Sequence, residues 1–154
     1  MQIVSFLAPA GVFPAMAARD KRQVLKQLST EAAQATGLPE REIFSALVER
    51  EAMGCTGMGN GICIPHGRFE SLSRVFGLFA RLKSPIDFGA EDEKPVDLVF
   101  LLLTPQNATT EHMKALASVS RALRGKTAGE KLRAAASAEA LYEILSTEPE
   151  ENGA

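Results

Sequence analysis

Val-Asp-Leu-Val-Phe-Leu-Leu-Leu-Thr, residues 96–104, is apolar at every position except the second and the last. Strands with one face in water alternate polar and apolar side chains, whereas a nearly continuous apolar run is typical of a central strand covered on both faces. Pro105 ends the run, because proline has no backbone N–H to donate to a neighbouring strand. The stretch therefore predicts a sheet with helices packed on both faces.

Further strands are predicted on the amino-terminal side of this stretch. Residues 75–82 place Phe76, Leu78, Ala80 and Leu82 on one side of an extended chain, at a spacing of two. The other predicted segments are a short strand at 62–64, a possible short strand at 11–13 and a polar connection over 83–94.

Five helices are predicted from apolar residues that recur at helical spacing. Asp20 is expected to cap the first, with Gln23 completing a capping box, and Gly37 to end it. Ser137 is expected to cap the last. The predicted helices cover 21–36, 39–53, a stretch from a cap at Thr109 or Thr110 to about 124, 128–135 and 138–146.

Two of these helices carry polar residues on their apolar faces. Glu51 falls within the buried stripe of the second helix and Arg50 on its edge, and a charge directed at a core needs a partner or a purpose. In the helix that follows the central strand, His112 falls on the inward face, which is predicted to contain Met113, Leu116, Ala117, Val119 and Leu123. Helices and hydrophobic strands together predict a single α/β or α+β domain over 1–147, followed by a loose acidic tail at 148–154.

The bulk composition excludes several classes of function. The chain has 154 residues, a net charge of −2 and no tryptophan, and its basic residues are scattered, so a nucleic-acid partner is not expected. Residues 1–18 are uncharged, but no basic residue precedes them, and Pro9 and Pro14 interrupt them. We therefore expect neither a signal peptide nor a membrane span. Cys55 and Cys63 are interpreted as reduced thiols of a cytoplasmic protein.

A glycine-rich loop, Gly-Met-Gly-Asn-Gly-Ile-Cys-Ile-Pro-His-Gly, occupies residues 57–67. For a dinucleotide-binding loop, the preceding strand is missing and the third glycine is misplaced. The Lys-Ser/Thr of a P-loop is also missing. A bare glycine cluster is more often a turn than a ligand cradle. Glycines also allow backbone N–H groups to converge on an anion, which makes a phosphate loop of Gly59, Asn60, Gly61 and Gly67 a second interpretation.

The chain has only two histidines, and each has a functional and a structural interpretation. His66 lies between Pro65 and Gly67, which suits an accessible nucleophile, and a surface histidine is the alternative. His112 lies in the first turn of a helix, where added positive charge is disfavoured, so a neutral imidazole there can donate to a phosphoryl oxygen. The alternative is a core histidine. Arg50 can balance phosphoryl charge with its planar fork of donors, or form a salt bridge.

Two other chemistries remain open from the residues alone. A zinc site could use Cys55, Cys63, His66 and His112, although their spacing is not that of a zinc finger. A hydrolase could use either cysteine as nucleophile with His66 as base. For the hydrolase, Cys63 lies three residues before His66 on an apparent strand, so the two side chains need not meet.

At these residues the sequence resembles a known family. Gly59–Gly67 is similar to the active-site signature of the type-2 IIA domains (fructose/mannitol/nitrogen class) of the bacterial phosphoenolpyruvate-dependent phosphotransferase system. Arg50-Glu51 resembles the family's Arg-Glu pair, and Pro85-Ile86-Asp87-Phe88 and Pro95–Phe100 follow its pattern. Glu111–Leu116 resembles its second-histidine helix. The likeness covers nearly the whole chain, with Cys63 at a position where a small residue such as alanine is common.

The resemblance implies a mixed β-sheet with helices on both faces. It implies that His66 accepts a phosphoryl group from the phosphohistidine of HPr or a nitrogen-branch paralogue, with His112 and Arg50 as active-site partners. No metal or cofactor is expected, because the donor is already activated. The loop and the single IIA domain are most similar to the nitrogen-regulatory branch, whose phosphorylation state controls binding to target proteins. The alternative is a sugar-transport IIA component that passes phosphate to a IIB domain.

A docking surface for the carrier is expected around His66. It should be partly apolar, and Met58, Ile62 and Phe69 are its predicted members.

Overall fold

A mixed sheet forms the centre of the structure, a computed structural model that describes residues 1–54 and 57–147. Within these ranges the chain forms six strands, five helices and a short 3-10 turn at Ile3–Ser5. The strands are β1 Leu7–Met16, β2 Gly57–Gly59, β3 Ile62–Cys63, β4 His66–Phe69, β5 Phe76–Ile86 and β6 Val96–Pro105. The helices are α1 Lys21–Thr36, α2 Glu40–Ala52, α3 Thr109–Leu123, α4 Lys126–Ala134 and α5 Ala138–Ser146.

The strand order is β1-β5-β6-β3-β2, and β4 pairs with β6 beyond the end of β3. β5 and β6 are antiparallel, whereas β1 is parallel to β5 and both β3 and β4 are parallel to β6. One edge of β6 is thus shared by two short strands, with Ile64 and Pro65 between them. The sheet is mixed, as the family resemblance implied.

Two apolar cores lie on opposite faces of this sheet, because successive side chains of β6 point to opposite faces. Val99, Leu101 and Leu103 pack with residues of α1 and α2. Leu98 and Phe100 alternate with them and pack with residues of α3, α4 and α5. The prediction that the 96–104 stretch is a central strand covered on both faces is confirmed.

Several local predictions are also confirmed. Asp20 caps α1 by accepting from the N–H of Gln23 at 2.9 Å, and Ser137 caps α5 in the same way through Ala140. The other half of the capping box is displaced by one residue, because the Gln23 side chain accepts from the N–H of Arg19 instead of the cap residue. Gly37, in the left-handed region at φ 81°, ends α1.

Other expectations need correction. β1 runs through Pro9 and Pro14, since an edge strand tolerates residues without an N–H, and β5 continues into the segment expected to be a polar connection. α3 begins without a side-chain cap, after Ala108. Met113, predicted to face inward, is 58% exposed, and Ala117 is exposed too.

Cys55 and the acidic tail at 148–154 lie outside the described residues. In the part of the chain that is described, no helix combines the length and the apolar character needed to cross a membrane.

A histidine pocket as candidate active site

His66 is placed by the break between β3 and β4. It is the first residue of β4 and pairs with Leu102 of β6, while the carbonyl of the preceding Pro65 accepts from the N–H of Leu102 at 3.0 Å. The Nδ1 atom of the ring lies 2.8 Å from the carbonyl oxygen of Ile64. A carbonyl can only accept, so this contact holds a hydrogen on Nδ1 and leaves Nε2 with its lone pair. The ring is partly exposed.

His112 is placed by the first turn of α3, directly over β6. It is 6% exposed, and its Nδ1 atom lies 2.8 Å from the buried hydroxyl of Thr104. Burial lowers the pKa of His112, and the nearby positive charge of Arg68 lowers it further. The predicted neutral imidazole at this position is therefore favoured first by desolvation and second by the neighbouring guanidinium.

The two imidazoles open into one cleft of about 430 Å³, which we name the histidine pocket. Their ring centroids are 5.5 Å apart and the rings are tilted by 56°. The pocket is lined by Ala46, Glu49, Arg50, Met53, His66, Gly67, Arg68 and His112. Residues from α2, β4 and α3 thus meet at one end of the sheet.

Two arginines bring positive charge to the pocket from different elements. Arg50, in the last turn of α2, is half-buried, and its Nη1 donates to the carbonyl of Gly54 at 3.3 Å. Arg68 lies two residues after His66 on β4, and its Nη1 is 3.5 Å from the hydroxyl of Thr109. Glu51, predicted to point inward with a partner, is buried, and its Oε1 lies 2.7 Å from Nζ of Lys21.

Sequence reasoning missed Arg68 and Thr104. Arg68 shares a strand face with His66, because residues two apart on a strand point the same way, but β4 was not recognised as a strand. Thr104 was recognised only as the end of a central strand. Its hydroxyl could have been noted as a buried polar group that needs a partner.

Gly59, Asn60 and Gly61 do not join the histidines. They form the turn of the β2–β3 hairpin, and the register pairs Gly59 with Ile62, which leaves Asn60 and Gly61 as a two-residue loop. Both loop residues have positive φ, 56° and 81°, as a type I′ hairpin turn requires. Ile62 pairs with Leu98 and His66 with Leu102, so the turn and His66 are separated along β6 by about 13 Å or more.

An ion pair holds this turn, and we name it the hairpin clamp: Arg133 of α4, Asp97 of β6 and the backbone of Asn60. Arg133 donates through Nε and Nη2 to the two carboxylate oxygens of Asp97, at 2.8 and 2.9 Å, and its Nη2 donates to the Asn60 carbonyl at 2.6 Å. The hydrogen bonds to Asp97 raise the pKa of the Arg133 guanidinium. The structure therefore places Gly59, Asn60 and Gly61 in a hairpin turn away from His66.

Gly67 is the only one of the four predicted loop residues in the histidine pocket. A Cβ built on it would lie 3.2 Å from the Phe69 ring and 3.9 Å from Ala46 of α2. Its lack of a side chain thus leaves room for the Phe69 ring, two residues further along β4.

The two cysteine chemistries find no support in the described residues. Cys63 is completely buried in the core on the α1 and α2 side, where no substrate can reach it. Within residues 1–54 and 57–147 no group of three His, Cys, Asp or Glu side chains is arranged to hold a metal ion. Cys55, the remaining member of the proposed zinc set, lies outside these ranges.

The predicted docking residues also need correction. Ile62 and Phe69 are 5% and 3% exposed, so they belong to the cores and cannot contact another protein. Met58 is half-buried. The large exposed apolar side chains on the helices that carry pocket residues are instead Met53, 80% exposed at the end of α2, and Met113 of α3.

Comparison with known proteins gives one consistent result. The sequence model of the family described as "Phosphoenolpyruvate-dependent sugar phosphotransferase system, EIIA 2" matches residues 5–148. A nitrogen regulatory protein from Bradyrhizobium diazoefficiens is 46% identical over 149 residues, which cover 97% of each chain.

Solved structures agree with this result. The chain is similar to nitrogen regulatory protein IIA-Ntr from Neisseria meningitidis, with a TM-score of 0.89 and 34% identity over 93% of this chain and 98% of that one. The IIA mannitol protein of Escherichia coli, in a complex with its phosphorylated IIB enzyme, shares the fold, with a TM-score of 0.74 and 23% identity over 88% of this chain and 93% of that one. The chain belongs to the EIIA 2 family of the phosphoenolpyruvate-dependent sugar phosphotransferase system.

Proposed function

We propose that this protein is a regulatory phosphocarrier of the nitrogen branch of the phosphotransferase system, which accepts a phosphoryl group on His66 from an HPr-type carrier. The observation that carries this proposal is the contact of His66 Nδ1 with the Ile64 carbonyl in a pocket shared with His112. The identity to a nitrogen regulatory protein supports the branch. In this proposal the protein signals by binding target proteins according to its phosphorylation state.

The chemistry assigned to His66 follows from its tautomer. With a hydrogen held on Nδ1, the lone pair of Nε2 is the nucleophile. In the transfer, the P–N bond on the carrier's phosphohistidine breaks, its electron pair returns to the carrier imidazole, and a new P–N bond forms on Nε2 of His66. One P–N bond is exchanged for another, so little chemical activation is needed. Catalysis then comes from orienting the two imidazoles and stabilising the charge of the phosphoryl group.

Three side chains of the pocket are assigned to the phosphoryl group. His112 is kept neutral by its surroundings and donates a hydrogen bond to a phosphoryl oxygen. Arg50 and Arg68 approach from α2 and β4, so their guanidinium groups flank the position of the incoming charge. A guanidinium offers several donors in a plane, which suits the oxygens of a phosphoryl group in transit.

The carrier is proposed to dock over the exposed methionines. Met53 lines the pocket, and Met113 adds exposed apolar surface on α3, the helix that carries His112. Methionine side chains are flexible and apolar, which suits a surface that must release its partner. The proposed compartment is the cytoplasm, where such carriers act.

One observation favours a second candidate function. The structurally similar mannitol protein of Escherichia coli forms a complex with a phosphorylated IIB enzyme. Delivery of the phosphoryl group from His66 to a IIB domain is therefore the alternative fate of the same intermediate.

Phosphotransfer from a purified, radiolabelled HPr-type carrier tests the proposal. The wild-type protein should acquire an acid-labile label, and His66→Ala should acquire none while its circular dichroism spectrum stays unchanged. His112→Ala, the matched control, should keep the fold and become labelled more slowly. Label that persists on His66→Ala contradicts the assignment.

The same labelled protein separates the two fates. Phosphorylated wild type should retain its label when mixed with IIB domains of the fructose and mannitol class. It should also bind a different set of proteins from the His66→Ala form. Rapid loss of label to a IIB domain would favour the transport function.

A further inference from the structure

The two histidines of the pocket have chemically different partners at Nδ1. His66 faces the carbonyl of Ile64, which can only accept a hydrogen bond. His112 faces the hydroxyl of Thr104 at 2.8 Å, which can either donate or accept. The carbonyl determines the tautomer of His66, whereas the tautomer of His112 depends on the direction in which the Thr104 hydroxyl points.

We propose that Thr104 is a positioning residue that donates its hydroxyl hydrogen to Nδ1 of His112 and so holds the proton of the neutral imidazole on Nε2. The inference rests on the proposed phosphorylation of His66, because it specifies how the second histidine is prepared for that phosphoryl group. Thr104 does not itself contact the phosphoryl group.

The position of Thr104 supports this role. It is completely buried on β6 and pairs in register with Arg68 of β4, so its hydroxyl has no access to water. A buried hydroxyl needs a protein partner, and His112 Nδ1 is at normal hydrogen-bond distance. Because Nδ1 is engaged towards β6, the opposite edge of the His112 ring, with Nε2, is the edge available to the pocket that it lines.

The negative charge of the proposed phosphoryl group selects the direction of the hydrogen bond. If Thr104 accepted from Nδ1–H, the lone pair of Nε2 would face the negative oxygens of the phosphoryl group. If Thr104 donates, Nε2–H faces them instead, which is the favourable arrangement. The charged side chains around the ring are Arg68 on β4 and Arg50 and Glu49 on α2, and the ring lies close to His66.

Two substitutions at Thr104 separate the hydroxyl from the shape of the side chain. Thr104→Val keeps the shape and removes the hydrogen bond, whereas Thr104→Ser keeps the hydroxyl. The first measurement is long-range ¹H–¹⁵N correlation NMR of the unphosphorylated protein, which reports the tautomer of each imidazole. The chain has only two histidines, so the spectrum of His66→Ala assigns both signals.

We expect His112 to carry its proton on Nε2 in the wild type and in Thr104→Ser, and to lose that preference in Thr104→Val. Proton placement on Nδ1 of His112 in the wild type would overturn the inference, even if Thr104→Val did not fold. The spectrum requires no phosphotransfer, so a failure of the proposed function at His66 leaves this readout intact.

The second measurement is the rate of labelling by the phosphorylated carrier. Thr104→Val should slow labelling about tenfold, the cost of one misdirected hydrogen bond, and Thr104→Ser should restore it. In a His112→Ala background, Thr104→Val should cause no further slowing, because it acts through the histidine. An equal slowing in both backgrounds, or no rescue by serine, would show a structural role and overturn the inference.

Discussion

The two ends of the glycine-rich segment 57–67 perform different tasks, although they form one continuous signature in the sequence. At one end, Asn60 and Gly61 form a hairpin turn fixed by the hairpin clamp. At the other, His66 and Gly67 line the histidine pocket with side chains from α2 and α3. Strand β3 joins the two ends along the edge of β6.

The difference shows that a shared motif is not a shared site. The glycines of the hairpin allow a positive φ and a close approach of an ion pair, whereas Gly67 leaves room for the Phe69 ring next to His66. Substitutions at the hairpin end should therefore change the free energy of unfolding, and substitutions at the pocket end should change phosphotransfer.

The largest expected effect is on stability, from Gly61→Ala. Gly61 has φ 81°, and an added Cβ would lie 2.7 Å from Nη2 of Arg133 and 2.9 Å from Oδ1 of Asp97. Strain and displacement of the clamp together should cost about 3 kcal/mol of unfolding free energy. Gly37→Ala is the matched control, because Gly37 has the same φ but open space around it, and should cost about 1 kcal/mol.

Urea denaturation measures both variants, and the labelling assay should show that Gly61→Ala still accepts phosphate. An equal loss of unfolding free energy in Gly61→Ala and Gly37→Ala would mean that the hairpin clamp does not restrict Gly61.

The next effect is on phosphotransfer, from Arg50→Lys. Lysine keeps the charge but not the planar fork, so labelling should slow about tenfold while the free energy of unfolding stays within about 0.5 kcal/mol of the wild type. Arg41→Lys, at an exposed position of the same helix, should leave both unchanged. A loss of stability without a loss of rate would assign Arg50 to the helix end, where it contacts Gly54.

The elements with long periodic patterns were predictable from sequence, and the reasons are local. Residues close in sequence determine the strand at 96–104 and the helix caps at Asp20 and Ser137. Each of these forms as predicted. The short strands β2 and β4 were not predictable in this way, because they form only where β3 and β6 offer them hydrogen-bonding partners.

The residues of the histidine pocket were predictable only where residue type or local sequence marks them. His66, His112 and Arg50 were singled out by residue type, and the structure brings them together. Arg68 depended on recognising a strand that forms only through long-range pairing. The Asn60-Gly61 dipeptide is itself a hairpin signal, and it would have separated the turn from the histidine.

A smaller loss of stability is expected from Arg133→Lys. Lysine cannot donate to both oxygens of Asp97 and to the Asn60 carbonyl in one plane, but the pair is partly exposed, with Arg133 at 38% and Asp97 at 21%. The cost should be about 1 kcal/mol, measured by urea denaturation, with labelling unchanged. Arg74→Lys, at an exposed position elsewhere, serves as control. A slower labelling rate would show that the clamp and the pocket are coupled.

The smallest expected effect is the pH dependence that comes from His112. Burial lowers the pKa of His112 in the folded protein, whereas in the unfolded chain this pKa is about 6.5. As the pH falls towards 5, the unfolded state therefore binds more protons at His112 than the folded state. Protonation therefore favours unfolding, and the wild type should lose stability between pH 7 and pH 5. In His112→Gln this contribution is absent, and the rest of the chain is unchanged. The difference between the two curves of unfolding free energy against pH isolates the contribution of His112.

A wild-type curve that falls less steeply than that of the variant would contradict this prediction. It would mean that a carboxylate such as Glu49 raises the pKa of His112, and that His112 enters the pocket as a cation instead of a neutral donor.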